Sequence, residues 1–522
     1  MRTETKGTTG RRGGRTPWPV RLALVLTCLC CVIPLWSPAA NVAAATNPFA
    51  GTSWFIDPNS NARQQATAWR TSQPADAAAM DLIAGQPPAD WFGDFSGDAR
   101  TAVDARVGQI AARGALPVLV AYNLPNRDCG GYSSGGLSTN AAYLDWVRAF
   151  ASGIGTRKAI IILEPDALVV TNCLSPTERQ ERFATLKGAV AILKAQPGTS
   201  VYIAAGHSGW YTADEIASRL NAAGIAQADG FALNAANFRP SANELVYGRT
   251  IADKVGGKHF VIDTSRNGLG PVDGPNSWCN PAGQGLGHRP TVVTDDPYLD
   301  AYLWIKRPGE SDGACSGSPA AGQWWPEYAL GLAQRAALNE TVACFAEIGQ
   351  CSGGQFFAYW QAHGGLAING LPLSGVRLET LEDGKRYAVQ YFERTRLEYH
   401  PENAAPYDVL VGQFGRRVVA NVAGAPTAGA DPLAGAQYFP TTKHNVGTRF
   451  LVYWQANGGL TQFGYPLTEE FTQKLANGNT YTVQYFERAR FEYHPENAAP
   501  YDVLLGQFGR QIYAEVTAGE GR

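Results

Sequence analysis

Between residue 53 and about residue 335, short apolar runs alternate with longer segments whose apolar residues recur at helical spacing. The runs are Ser53–Ile56, Asp90–Phe92, Leu116–Tyr122, Ala159–Leu163, Val201–Ala204, Gly230–Leu233, His259–Ile262 and Tyr302–Ile305. The intervening pattern predicts helices over Ala66–Arg70, Asp76–Ala84, Arg100–Arg113, Asn140–Gly153, Pro176–Ala195 and Thr212–Ala223, with Ser175 as the N-cap of the longest. Several strands are apolar at every position, Ala159–Leu163 above all. A strand of that kind needs both faces of its sheet covered, which predicts a parallel sheet flanked by helices. Seven or eight such units over about 280 residues predict an α/β fold closed into a barrel. A doubly wound open sheet is the runner-up, and no strand is followed by the G-x-G-x-x-G that would support it.

The pattern changes after residue 344. Phe356–Leu366 recurs as Phe450–Leu460, Gln390–Arg394 as Gln484–Arg488, and Glu398–Val409 recurs without change as Glu492–Val503. The offset is constant, so the region is a tandem repeat. Gly424–Ala430 has the composition of a linker. The predicted organisation is an export segment over 1–45, a barrel over 47–338, a first repeat over 344–422, a linker over 423–437 and a second repeat over 438–516.

Charge sharpens the picture at the N-terminus. Residues 1–21 carry six Lys/Arg and one acid, Leu22–Ile33 is apolar, and Ala43-Ala44-Ala45 offers a small-residue cleavage site. That is the plan of a secretory signal, and the apolar run is short for a membrane span. Removing it leaves 37 basic against 44 acidic side chains, a net charge of −7. A mildly acidic chain is a poor partner for nucleic acid or an anionic membrane. The expected location is outside the cell. Six cysteines remain, Cys129, Cys173, Cys279, Cys315, Cys344 and Cys351, and in an exported chain they read as three disulfides. Spacing alone leaves all their pairings open. Among these six no C-x-x-C pair occurs, and the chain has no paired-His motif, so neither a metal nor another cofactor is expected.

Acids cluster just after the strands: Asp128 after Leu116–Tyr122, Glu164 and Asp166 after Ala159–Leu163, Glu310 and Asp312 after Tyr302–Ile305. Active sites of such barrels are built at that end. Cleaving an acetal takes one group to protonate the leaving oxygen and a second on the far side of the sugar ring. A neighbouring acid or burial can keep one carboxyl protonated near neutral pH. Trp54, Trp91, Tyr122, Trp210, Trp278 and Trp304 stand near these acids and suit a cleft that packs sugar faces, with Trp304 the best candidate for core instead. The stretch Gly206-His207-Ser208-Gly209-Trp210 is not G-x-S-x-G, so Ser208 is not read as a nucleophile.

Six blocks carry a resemblance. They are Tyr122-Asn-Leu-Pro-Asn-Arg-Asp128-Cys129, Ile162-Leu-Glu-Pro-Asp166, Ala205-Gly-His207-Ser-Gly-Trp210, Asp263-Thr-Ser-Arg266-Asn-Gly268, Trp278-Cys279-Asn-Pro and Trp304-Ile-Lys306-Arg-Pro-Gly-Glu310-Ser-Asp312-Gly. In this order they resemble glycoside hydrolase family 6, the endo-β-1,4-glucanases and cellobiohydrolases, over about residues 47–338. The resemblance implies a distorted (β/α) barrel of about seven parallel strands and hydrolysis of cellulose or another β-1,4-glucan with inversion. It places Asp166 as general acid, Asp128 as the carboxylate that raises the acid's pKa and helps organise water, and Asp312 where a general base has been proposed. It implies substrate contacts from Trp54, Tyr122, His207, Trp210, Asn237, Trp278, Lys306 and Glu310. It also implies the pairings Cys129–Cys173 and Cys279–Cys315, which leave Cys344 with Cys351. Ala204 stands where the family pattern usually has an aspartate. Short stretches after Asp166 and from Asp263 to Trp278 imply an open cleft and endo cleavage, with a cellobiohydrolase or a non-catalytic glycan-binding protein as the alternatives. The Asn-Gly-Gly-Leu and Phe463-Gly-Tyr-Pro-Leu467 segments resemble LGFP-type repeats of secreted bacterial proteins. Such repeats imply either attachment to a cell surface or polysaccharide, or a spacer whose aromatics form two small cores.

Overall fold

The structure is a computed structural model that describes residues 47–271, 277–293 and 296–520; the export segment read over 1–45 lies outside the described residues. Its strands are β1 (Asp90–Phe92), β2 (Val118–Ala121), β3 (Ala159–Leu163), β4 (Thr199–Ala204), β5 (Gly230–Leu233), β6 (His259–Asp263), the two-residue β7 (Thr291–Val292) and β8 (Leu299–Leu303). They form one curled sheet in the order β1-β2-β3-β4-β5-β6-β8-β7, parallel throughout except for β7 on β8. The curl brings its two sides together at a single bridge, where Pro88 pairs with Trp304 and the Ala89 amide donates to the Trp304 carbonyl at 2.9 Å. One bridge instead of a full ladder is what makes this seven-strand parallel barrel distorted. It also explains why the last strand ends at Leu303: Trp304 leaves the ladder to meet Pro88, and its ring is core as read from the sequence.

The all-apolar strands divide their side chains by parity. Ile160, Ile162, Tyr202, Ala232 and Val261 fill the barrel interior with Leu116, Val120 and Leu303. Leu119, Ile161, Leu163, Val201, Ile203, Phe231 and Phe260 face outward and pack under the helices. Those helices are α1 (Asn61–Trp69), α2 (Pro74–Ala84), α3 (Ala99–Ala111), α4 (Asn140–Ile154), α5 (Pro176–Lys194), α6 (Ala213–Ala222), α7 (Ser241–Lys254) and α8 (Pro326–Gln334). In α5 the Ser175 hydroxyl accepts from the Glu178 amide, Glu178 reaches back to the Ser175 amide, and Pro176 occupies the first turn. The pattern of apolar residues missed α7 and α8. In α7 the buried face is built from Ser241, Ala242, Glu244, Tyr247 and Gly248 beside Leu245 and Ile251, so small and polar residues mask the helical period.

The repeats each contain a four-stranded antiparallel sheet, Arg377–Thr380, Arg386–Tyr391, Arg396–Tyr399 and Val409–Val411 in the first and Phe471–Lys474, Thr480–Tyr485, Arg490–Tyr493 and Val503–Leu505 in the second. They are not two separate beads. Besides a local core in each, a third cluster is shared: Tyr387, Val389, Tyr391 and Phe414 pack with Tyr481, Val483, Tyr485 and Phe508. The exchange is reciprocal, with Arg416 of the first repeat paired to Glu487 and the equivalent Arg510 of the second paired to Glu393. Gly415 and Gly509 allow it, because a Cβ at either would stand 1.8 Å from a carbonyl of the other repeat. The expected spacer with two small cores is therefore corrected to a pair sharing a third. Each repeat opens with a hairpin. In the first, Cys344 and Cys351 are register partners and are disulfide-bonded; in the second, Tyr438 and Asn445 occupy those places. The first repeat is seated on α7, where the Asn243 amide side chain donates to the Val376 carbonyl at 2.7 Å and accepts from the Val376 amide at 2.8 Å.

Candidate active site

The loop after β2 carries the first functional side chains. Tyr122 is buried with its ring edge-on to Trp91, centroids 5.2 Å apart, and the Arg127 guanidinium lies over it at 4.6 Å. Arg127 latches the loop by donating to the Tyr122 carbonyl at 2.7 Å, the Ser133 carbonyl at 2.9 Å and Asp94 at 3.1 Å. The Asp128 carboxylate accepts from the Ser133 amide at 2.8 Å and folds over Gly131, where a Cβ would stand 2.4 Å from its oxygen. Asn126, Asp128 and Cys129 have φ of +53°, +56° and +47°, and Glu164 and Asp166 on the neighbouring loop have +51° and +69°. Left-handed backbone at non-glycine residues costs on the order of 1 kcal/mol each and persists only where the surroundings enforce it.

The enforcement is visible. The Cys129–Cys173 disulfide joins the two loops. Glu164 accepts from the Asn123 and Leu124 amides at 2.9 and 3.2 Å, and Arg182 caps the Pro125, Asn126 and Val170 carbonyls at 2.9–3.0 Å. Burial outweighs those hydrogen bonds and lifts Glu164 to about 7. The paired acids Glu164 and Asp166 thus divide: Glu164 is an internal clamp, and Asp166 stands half-buried in the cleft wall. Asp166 is also raised, to about 7, first by burial, then by the Asp128 charge, then by Asp312.

Asp312, after β8, is the most tightly held of the three. Arg266, fully buried, donates to it at 2.7 Å, the Lys306 ammonium lies 3.2 Å away, and the Asn280 amide donates at 3.1 Å. Burial works against its charge, yet Arg266 and Lys306 keep its pKa below the usual aspartate value. Asn280 is bracketed by the Cys279–Cys315 disulfide and accepts from the Asp312 amide at 2.8 Å. The Ser133 hydroxyl donates to the Asp312 carbonyl at 3.2 Å, so all three carboxylate loops are stitched together. The Asp263 side chain underpins the same end of the barrel by accepting from the Ser265, Ala236, Ile305 and Lys306 amides at 2.9–3.2 Å.

These groups open on one cavity of about 810 Å³. It gathers Tyr122, Asp128, Asp166, His207, Trp210, Asn237, Trp278, Lys306 and Asp312 from the predicted set. His207 stacks on Trp210 with centroids 4.0 Å apart, and burial followed by the Arg239 charge lowers its pKa to about 3. Its Nδ1 accepts from the Gly209 amide at 3.0 Å, which leaves the proton of the neutral ring on Nε2. Trp210 and Trp278 present exposed rings to the cavity. Two predicted residues are not brought in. Ser53 bridges Ala115 at the N-terminal end of β2, opposite the carboxylates, so Trp54 packs on Phe49 instead. Glu310 pairs with Arg307 at 3.3 Å and lines a neighbouring pocket with Asp90 and Trp324. Trp91, expected from its place near the acids to suit a cleft, lines it, held by its indole N–H on the Ile305 carbonyl at 2.8 Å. So do Arg239 and, from the first repeat, Leu378 and Arg386. Nothing local in the sequence points to Leu378 and Arg386. Ala204 pairs with Ala232 of the interior cluster and is buried below the cleft, not in its lining. Among the described residues, no group of three His, Cys, Asp or Glu side chains is arranged to hold a metal ion.

A parallel α/β barrel with three carboxylates, one lifted and one depressed, at the strand ends of an aromatic-lined cleft defines the class of carboxylate-dependent hydrolases. Residues 49–336 match the Glycosyl hydrolases family 6, and the chain belongs to that family. It is 44% identical over 290 residues to Endoglucanase A of Thermobispora bispora, covering 54% of this chain and 62% of that one. It is 42% identical over 313 residues to Endoglucanase 1 of Streptomyces halstedii, covering 57% of this chain and 94% of that one. Among solved structures it is similar to the endoglucanase Cel6 from Mycobacterium tuberculosis in complex with methyl-cellobiosyl-4-deoxy-4-thio-beta-D-cellobioside. That likeness has a TM-score of 0.53 and 46% identity over 55% of this chain and 99% of the other. The chain spans under two thirds of the length of the Thermobispora bispora relative.

Proposed function

We propose that this chain is a secreted endo-β-1,4-glucanase that hydrolyses cellulose and related glucans with inversion. The observation that carries the proposal is Asp166: a cleft carboxyl lifted to about 7 by burial and by two neighbouring carboxylates, beside aromatic rings. Such a group is protonated at mildly acidic to neutral pH and can give its proton to a glycosidic oxygen. Asp128 keeps that proton in place and holds one face of its carboxylate toward the cleft for water. Asp312 is bound on both oxygens by Arg266, Lys306 and the Asn280 amide, and a carboxylate so stabilised accepts a proton poorly. Its role in this reading is a fixed negative charge opposite the developing oxocarbenium ion, and the attacking water loses its proton toward solvent. The endo reading is supported by the names of the relatives and by the short connection between Leu163 and Pro176. The three disulfides agree with export, and among the described residues no helix is long and apolar enough to cross a membrane.

The test is cleavage of cellohexaose with the anomer of each product resolved, beside the viscosity of a soluble cellulose derivative. α-Anomers with a rapid viscosity fall support the proposal. Cellobiose alone at constant viscosity points to the cellobiohydrolase, and β-anomers reject inversion. Asp166→Ala that still binds oligosaccharide while turnover drops by several orders of magnitude excludes the non-catalytic reading.

A further inference from the structure

We propose that the first C-terminal repeat supplies an outer glucose subsite at the Trp210 end of the catalytic cleft, built from Leu378 and Arg386. This deepens the glucanase reading and rests on it. The two residues line the same cavity as Asp128 and Asp166, although more than 200 positions separate them from those acids in the chain. Leu378 lies on the edge strand Arg377–Thr380, and Arg386 opens the neighbouring strand Arg386–Tyr391 as the register partner of Thr380, so a half-buried apolar side chain and an exposed guanidinium stand diagonally across two adjacent strands, the guanidinium donating to the Leu378 carbonyl at 3.5 Å. That pairing suits a glucose unit: the aliphatic surface packs on the pyranose face and the guanidinium donates to hydroxyls.

Their position follows from a continuous set of contacts. Trp210 stacks on His207, and the Arg239 guanidinium packs against Gly209, one residue before Trp210. Arg239 leads into α7, whose Asn243 makes both of its hydrogen bonds to the backbone of Val376, two residues from Leu378. Cys351 and Val342 of the first-repeat hairpin pack into the same core as α7. The repeat is thus seated on the helix that borders the Trp210 wall, and its sheet edge continues that wall. Trp91 and Lys306 belong to other strand ends, so the new subsite lengthens the cleft instead of duplicating a wall. The ligand such a subsite would take is a linear, uncharged glucan that runs along the cleft from Asp166 to Leu378.

The experiment uses the full chain with Arg386→Ala, Leu378→Ala and the double substitution, each checked by its thermal transition. kcat/KM is measured on cello-oligosaccharides of three to six units. The expected result is a fall of about three- to tenfold on the longest substrate in the double variant, carried by KM, with cellotriose unchanged; a contact of this size corresponds to a fraction of one to one decade in affinity. Equal effects at every length, or none at any length, overturn the proposal. Titration of cellohexaose and cellotriose into the Asp166→Ala chain, with and without Arg386→Ala, reads binding without turnover. A length-dependent loss there supports the subsite even if the parent chain hydrolyses nothing, and a loss-free titration overturns it even if the parent is a glucanase. Arg386 is exposed, so its substitution tests the proposal if Leu378→Ala does not fold.

Discussion

Replacing Asp128 by asparagine removes one negative charge facing Asp166 while keeping the side chain's size and an oxygen to accept from the Ser133 amide. Asp166 stands at about 7, against an ordinary aspartate value of about 4. Burial is the largest of its three causes and Asp128 the second, so Asp128 supplies less than half of the rise. That caps its share at ~1.5 pH units, or ~2 kcal/mol of differential interaction. The sign follows directly. A proton donor works below its pKa, so the parent's kcat falls as pH rises through about 7. With the charge gone, the donor loses its proton earlier, and the alkaline limb moves toward acid by ~0.5–1.5 pH units. The assay is kcat against pH on a soluble oligosaccharide, from about pH 4 to about pH 9, at saturating substrate. A drop in rate with the alkaline limb unmoved refutes the reasoning. It would mean that Asp128 acts on water alone and that burial by itself keeps Asp166 protonated.

Asp312→Asn leaves the fully buried Arg266 without its counter-charge. Breaking such a pair costs about 3–5 kcal/mol, read as a lower midpoint in denaturant at unchanged slope. Removing Cys129–Cys173 by serine substitution releases a loop of 44 residues in the unfolded chain, a loss of ~4 kcal/mol on the chain-entropy account. Because the bond also joins the Asp128 and Asp166 loops, turnover should fall even at temperatures where circular dichroism shows a folded barrel. Glu164, Asp166 and Glu244 are each raised to about 7 chiefly by burial. Stability from a raised carboxyl is complete below the ordinary carboxylate range and declines as pH climbs through about 7, whereas that from the depressed Asp312 is lost only in strong acid. The thermal midpoint should therefore be higher at about pH 5 than at about pH 8, by calorimetry at constant ionic strength.

Much of this protein is dictated locally. An unbroken apolar run of five residues such as Ala159–Leu163 reads as a strand covered on both faces, and the acids that follow three of the strands, β2, β3 and β8, point to where chemistry sits. The tandem repeat and the Ser175–Glu178 cap are likewise written in short stretches of chain. What sequence could not decide are relations between distant segments. Glu164 and Asp166 are two residues apart and equally acidic; only the approach of Asn123 and Leu124 makes one a clamp and leaves the other in the cleft. Trp54 and Trp91 are both tryptophans on first-sheet segments, and strand direction alone sends one to the closed end and the other to the site. The period of α7 was hidden by its small and polar buried residues, and with it the seat of the first repeat. A side chain's local pattern records whether it will be buried. Which partners bury it, and hence its charge state and its access to substrate, is settled by packing across the barrel.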